Sequence, residues 1–187
     1  MKRLSSVAST TATTTKAAVA PRTSVSSDCS VGWTPSCLQA LYEIPITPAP
    51  PVADLFGISG FSNDFANLRD VTGFLKEFRP DLNPNTTFAL ISVDDGINKQ
   101  LPGGAGEITI DMQYALGLTN GIPAAFISTG IVANDLFTEF PDQANYLVSS
   151  LNPPQTIVHV FSSRESLAPA AVAAFLCNSY AQQTFDD

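Results

Sequence analysis

Glu107 and Asp111 stand four residues apart in Gly106-Glu107-Ile108-Thr109-Ile110-Asp111-Met112-Gln113-Tyr114-Ala115-Leu116-Gly117, a stretch that follows the glycine-rich run Gly103-Gly104-Ala105. On a helix this spacing puts both carboxylates on one face, where like charges repel at a cost of roughly a few tenths of a kcal/mol. Paired carboxylates share a proton and split their apparent pKa values. One can then act as a general base while the other orients and polarises it. A plainer reading stands beside this one. The helix macrodipole favours an acidic residue in a first turn, which accounts for Glu107 alone, and acidic pairs at this spacing are frequent on solvated faces.

Other candidates are weaker. The glycine-rich run is followed by neither Lys-Ser nor Lys-Thr and lacks the dinucleotide fingerprint, so phosphate binding is not expected. His159, the single histidine, lies in the apolar run Thr156-Ile157-Val158-His159-Val160-Phe161 and fits a core or strand histidine better than a catalytic base. A histidine triad and a His-rich metal site therefore both lack support. Asp94-Asp95-Gly96 is without the further spaced oxygen ligands of a calcium loop and reads as a turn. Trp33 and Tyr42 read as packing residues. Asn85-Thr86-Thr87 is an N-glycosylation sequon just before an apolar run, and such a triplet has meaning only in a secreted chain.

The elements that must position Glu107 and Asp111 follow from apolar periodicity. Leu55 to Ile58, Phe88 to Val93, Ala124 to Ile127 and Thr156 to Phe161 are short, apolar and bounded by Gly, Pro or Asn, as buried strands are. Phe65, Leu68, Val71, Leu75 and Phe78 recur at helical steps, as do Ile108, Met112 and Ala115, and Ala170 to Tyr180 reads as an apolar helix. Thr34-Pro35 is an N-cap and first-turn proline opening a short helix through Leu38, Leu41 and Tyr42. Pro45, Pro48, Pro50 and Pro51 then force an extended connection. This alternation predicts an α/β fold, a mostly parallel sheet of about four strands with helices on both faces.

The 187 residues allow one domain, and 44% of them are hydrophobic, enough for a real core. Residues 1 to 27 are dominated by Ser, Thr and Ala and are expected to form a disordered linker, leaving 28 to 187 as the folded part. A net charge of -8 with only nine Lys and Arg argues against a nucleic-acid partner. No run of eighteen apolar residues exists, so no membrane span is expected. Met1-Lys2-Arg3 has the basic opening of a signal peptide without the apolar stretch that must follow, so no export signal is expected in the chain as written. Cys29 and Cys37 are close enough to staple a turn in an oxidising compartment, or stand as two buried thiols; Cys177 is left over.

Three segments of the chain resemble the sedolisins, or serine-carboxyl peptidases, and in particular the fungal tripeptidyl-peptidase-like members. Thr34-Pro35-Ser36-Cys37-Leu38-Gln39-Ala40-Leu41-Tyr42 is similar to the start of the mature enzyme. Gly57 to Phe61, Phe65-Ala66-Asn67-Leu68 and Phe74 to Leu82 resemble the family's first strand and helix. Gly106 to Gly117 resembles, without a gap, its Glu-x-x-x-Asp-x-Gln-Tyr-Ala helix. The resemblance covers residues 28 to 187, with residues 1 to 27 as the remnant of a propeptide junction.

The resemblance implies a subtilisin-like parallel sheet, present here in part, and a secreted peptidase acting on peptides or proteins at acidic pH. It also implies that Glu107 is the general base toward a serine and that Asp111 hydrogen-bonds Glu107. A carboxylate base holds and releases a proton in a lower pH range than histidine, so an acidic optimum follows from the chemistry. The family's strand end, Ser-Tyr-Gly followed by acidic residues, is represented here by Val160-Phe161-Ser162-Ser163-Arg164-Glu165. Its oxyanion aspartate, its Gly-Thr-Ser nucleophile and its calcium site are expected beyond Asp187, with no metal or cofactor in this chain. The isolated chain is therefore expected to be inactive and, with an exposed sheet edge, poorly soluble. The alternative is a non-catalytic peptide-binding or inhibitory module derived from the same fold.

Overall fold

A computed structural model describes residues 27–46, 54–83, 85–100, 106–119, 121–131 and 136–183. The linker expected over residues 1 to 27 lies outside these up to residue 26, and so do Pro48, Pro50, Pro51 and the glycine-rich run 103–105.

Four strands, β1 (Phe56–Gly60), β2 (Phe88–Val93), β3 (Ala124–Thr129) and β4 (Thr156–Val158), form one sheet in the order β2-β3-β1-β4, and every pair is parallel. Five helices accompany them: α1 (Pro35–Tyr42), α2 (Leu68–Phe78), α3 (Glu107–Leu118), α4 (Leu136–Ser149) and α5 (Ala170–Gln183). The α/β architecture read from apolar alternation is the one formed. From β1 the chain passes over one position to β2, returns to fill the gap with β3, and then places β4 on the far side of β1.

Period-two alternation along the strands builds two cores. Ile58 and Phe126, aligned in register, face α2 and α3, where they meet Val71, Leu75, Ile108, Met112 and Leu116. Their neighbour Ile127 faces the other way and packs with Val93 and with Leu147 of α4. All six residues of β3 are buried, as a central parallel strand covered on both faces requires. A side chain on Gly60, at the end of β1, would overlap the Phe126 ring.

Local chemistry explains several boundaries. Asn67 caps α2 by accepting from Asp70 N at 3.1 Å, so the helix begins at Leu68 and Phe65 stays outside it. Arg79, at the C-cap of α2, is buried. It grips Asp81 with two hydrogen bonds of 2.9 and 2.8 Å and donates a third to the carbonyl of Gly117, one of the orphan acceptors at the end of α3. That guanidinium holds the Asp81 carboxyl below its ordinary range.

Three expectations need correction. β4 ends at Val158, so His159, Val160 and Phe161 lie past the sheet. Helix α4 has no counterpart in the sequence reading, because Pro141 inside it and the buried Glu139 and Gln143 interrupt the apolar pattern. Trp33 and Tyr42 are exposed at 58% and 69%; α1 buries Pro35, Cys37 and Gln39 instead and docks on α3 through the Tyr114 hydroxyl, which donates to Trp33 O at 2.6 Å.

Cys29 and Cys37 form a disulfide eight residues apart. Closing so short a loop stabilises a fold by about 2–3 kcal/mol through the unfolded chain. The double variant Cys29→Ser/Cys37→Ser is expected to lose up to that amount in urea unfolding, and an unchanged midpoint would show that this segment is not part of the cooperative unit.

Candidate functional site

Helix α3 connects parallel strands and so runs against them, which brings its first turn to the C-terminal edge of the sheet. There it meets the loop that leaves β1, residues Phe61 to Asn67. Gly106 is the N-cap, with φ -79° and ψ 177° and no side chain to accept from the helix. Asp64 fills that role: its Oδ2 accepts from Ile108 N in a long contact of 3.4 Å. A Cβ on Gly106 would collide with the Asp64 carboxylate. Thr109, fully buried one turn on, donates to Phe65 O at 3.0 Å and accepts from Asn67 N at 3.0 Å. The Glu-x-x-x-Asp helix and the β1 loop are therefore locked together.

This lock gathers three carboxyl groups. Glu107 is exposed, while Asp111 and Asp64 are half-buried. Burial first, then the charges of Glu107 and Asp64, push the Asp111 carboxyl above its ordinary range. Its Oδ2 is buried with no hydrogen-bond partner. The Asp111–Glu107 hydrogen bond that the resemblance implies is thus not made through this oxygen. A buried carboxyl oxygen without a donor favours the protonated form. Asp111 is consequently poised to carry a proton next to an exposed carboxylate. The spacing of Glu107 and Asp111 was legible in sequence. Asp64 was not, because a residue so distant in the chain enters the cluster only through the fold.

The β1 loop is also held from the opposite face. Ser62 and Asn63 have left-handed backbones, with φ 54° and 58°, a conformation that needs support from its surroundings at non-glycine positions. Glu139 of α4, almost wholly buried, supplies it by accepting from Ser62 N at 2.7 Å. Beside it Gln143 bridges two strands: its Oε1 accepts from Ser59 at 2.6 Å and its Nε2 donates to Thr129 Oγ1 at 2.9 Å. A cleft of about 560 Å³ opens at the same edge, lined by Asn63, Asp94, Asp95, Ile97, Thr129 and Gly130 among others. Asp94-Asp95-Gly96 is the expected turn, closed by Gly96 N donating to Val93 O at 2.9 Å. Across from it Asp142 of α4 is raised by burial, by the Asp94 charge and by a hydrogen bond with Asp94.

His159 is neither a strand residue nor a member of the carboxyl cluster. Its ring stacks on Phe61 at 5.7 Å, and Nε2 lies 3.0 Å from Tyr180 OH and 3.3 Å from Ser59 Oγ. Although the residue as a whole is exposed, burial on this inner side pushes the imidazole down from its usual value. Among the described residues no group of three or more His, Cys, Asp or Glu side chains could hold a metal ion, and no helix is long and apolar enough to cross a membrane.

No family model matches the chain. Curated relatives do. The chain is 30% identical over 159 residues to tripeptidyl-peptidase SED4 of Arthroderma otae, covering 83% of this chain and 25% of the relative. It is 30% identical over 175 residues to tripeptidyl-peptidase SED2 of the same organism, covering 83% and 29%. It is 27% identical over 176 residues to the probable tripeptidyl-peptidase SED3 of Trichophyton verrucosum, covering 86% and 29%. Over most of its own length the chain is similar to fungal tripeptidyl-peptidases, in line with the resemblance to sedolisins. It spans between a quarter and three-tenths of the length of these relatives.

Two variants test the cluster. A carboxyl whose pKa is raised by folding contributes stability below the ordinary carboxylate range and loses it as pH rises through the raised value. Asp111→Asn is neutral at every pH, so relative to the parent it should gain stability between about pH 4 and pH 7. Urea unfolding at both ends of that range measures the gain, and parallel profiles would contradict a raised Asp111. Gly106→Ala displaces Asp64 and is expected to bring the Asp111 carboxyl back toward its ordinary value, followed by carboxyl-carbon NMR titration.

Proposed function

We propose that this chain carries the base-and-orienter part of a secreted acid peptidase that hydrolyses peptide bonds in peptides or proteins. Glu107 is the general base. Its exposed carboxylate takes the proton of an attacking hydroxyl, and Asp111, favoured in its protonated form by burial, stands one helical turn away, where a proton on its other oxygen would steady the charge that remains on Glu107. Asp64 raises the proton affinity of Asp111 from the β1 loop. The hydroxyl comes from a serine of the Gly-Thr-Ser type, which residues 28 to 187 do not contain. The cleft at the C-terminal strand ends, beside the loop that bears Asp64, is where an extended peptide would lie, since open α/β sheets bind ligands at that edge.

The observation that carries this reading is the buried, partnerless Oδ2 of Asp111, one helical turn from exposed Glu107 and raised by burial and by two neighbouring carboxylates. A pair that served only a solvated helix face would have no reason to bury one member. Tripeptidyl-peptidase names among the relatives support release of tripeptides as the first activity to assay.

The test uses the product of the complete reading frame, assayed with peptide substrates from about pH 3 to 7. Removing a general base costs about 10²–10⁴-fold in rate. Glu107→Gln should lose at least about 10²-fold with an unchanged melting curve, and Asp111→Asn should move the pH profile. Full activity in Glu107→Gln would overturn the proposal. Peptide binding without cleavage in parent and variant alike would favour a binding or inhibitory module.

A further inference from the structure

The sequon Asn85-Thr86-Thr87 is the one Asn-X-Ser/Thr triplet in the sequence, and nothing in the peptidase reading uses it. We propose that Asn85 carries an N-linked oligosaccharide and that this glycan shields the free edge of β2.

Four observations converge on it. Asn85 and Thr87 are both exposed, and Asn85 sits in a turn, where a transferase can reach an extended acceptor. The turn is organised by Asn83, whose side chain accepts from Asn85 N at 2.9 Å and whose carbonyl accepts from Thr86 N at 2.9 Å. The Cys29–Cys37 disulfide belongs to an oxidising compartment, the same kind in which N-glycosylation takes place. Finally, the turn leads straight into the strand that most needs cover.

That strand is β2, Phe88-Ala89-Leu90-Ile91-Ser92-Val93. Among the described residues it pairs with β3 alone, so its outer edge is open. It has six residues, no charge and no proline, and Leu90 is 48% exposed. Such a segment on an edge invites pairing with another chain. Natural edges are usually blunted by Lys, Pro or a bulge, none of which β2 has. A hydrated oligosaccharide three residues before Phe88 would do the same by bulk.

Its placement is also compatible with the site. Asn85 precedes the start of β2, at the N-terminal edge of the sheet, whereas Asp64 and Glu107 lie at the C-terminal edge, about 20 Å away along a six-residue strand. The glycan would therefore leave the carboxyl cluster open.

In the transfer step Asn85 Nδ2 forms a bond to the anomeric carbon of an oligosaccharide carried on a lipid diphosphate. The anomeric carbon–oxygen bond breaks, the lipid diphosphate leaves, and the amide gives one proton to a base of the transferase. The inference rests on entry into a secretory compartment and is independent of the peptidase reading.

The chain, fused behind a cleavable secretory leader, is translated with microsomes, and imported material is identified by protease protection and by its disulfide. One mobility step, removed by peptide-N-glycosidase, is expected. Asn85→Gln and Thr87→Val should abolish it, and Thr87→Ser should retain it. Imported, disulfide-bonded chain without the step would overturn the assignment. For shielding, enzymatically deglycosylated chain should aggregate several-fold faster than glycosylated chain at neutral pH; equal rates would remove that role.

Discussion

One buried hydroxyl, that of Thr109, sets the relation between the helix that bears Glu107 and Asp111 and the loop that follows β1. It donates to Phe65 O and accepts from Asn67 N, so three segments share a single side chain at no exposure to solvent. Asn67 is in turn the N-cap of α2, and the same hydroxyl therefore fixes where α2 begins. Each hydrogen bond of this kind contributes about 1 kcal/mol net, but leaving the buried amide and carbonyl unpaired costs more than that. The lock is specific because the alternative arrangements are expensive.

From that lock the carboxyl cluster follows with little further freedom. With Phe65 and Asn67 tied to α3, Asp64 has no place to go but the first turn of the helix, and Gly106 leaves the space it occupies. The other end of the loop passes through the left-handed residues Ser62 and Asn63, and Glu139 secures it from the opposite face of the sheet. A short loop is thus clamped by α3 on one side and α4 on the other. Rigidity at this point matters because the Asp111 carboxyl is raised by a neighbour on that loop as well as by Glu107.

How far the sequence reveals this depends on the kind of interaction. Strands such as Ala124 to Thr129 are legible because both faces are buried and the apolar run is continuous. Glu107 and Asp111 are legible because helical periodicity relates them locally. Helix α4 is not, since its inward positions include Glu139 and Gln143, polar residues whose burial makes sense only once Ser62 N, Ser59 and Thr129 are seen to face them. The end of β4 is misread for a similar reason: His159, Val160 and Phe161 are apolar enough for a strand, yet Phe61 draws two of them off the sheet into an aromatic cluster. Asp64 lies in between. Its neighbours Phe61 and Phe65 to Leu68 form a recognisable pattern, but its partner is set by tertiary structure alone.

The titrating groups divide by the direction of their shift, and the division bears on an acidic working range. Asp111 and Asp142, at the C-terminal edge, are raised, so their contributions are present at low pH and lost as pH rises through their raised values. His159 is lowered, so its contribution is present above the ordinary imidazole value and is lost as pH falls through the lowered one. These effects respond to acidification with opposite sign. Asp81 is different, because Arg79 depresses its carboxyl and the pair loses its contribution only as pH falls through that depressed value. Acidification thus leaves the tie between α2 and the end of α3 standing, favours the carboxyl cluster, and acts first against the His159 contacts with Ser59 and Tyr180. At the sheet edge where peptide chemistry is proposed, the carboxyl cluster is therefore the part whose electrostatics improve in acid, and the His159 contacts that reach α5 through Tyr180 are the part that weakens.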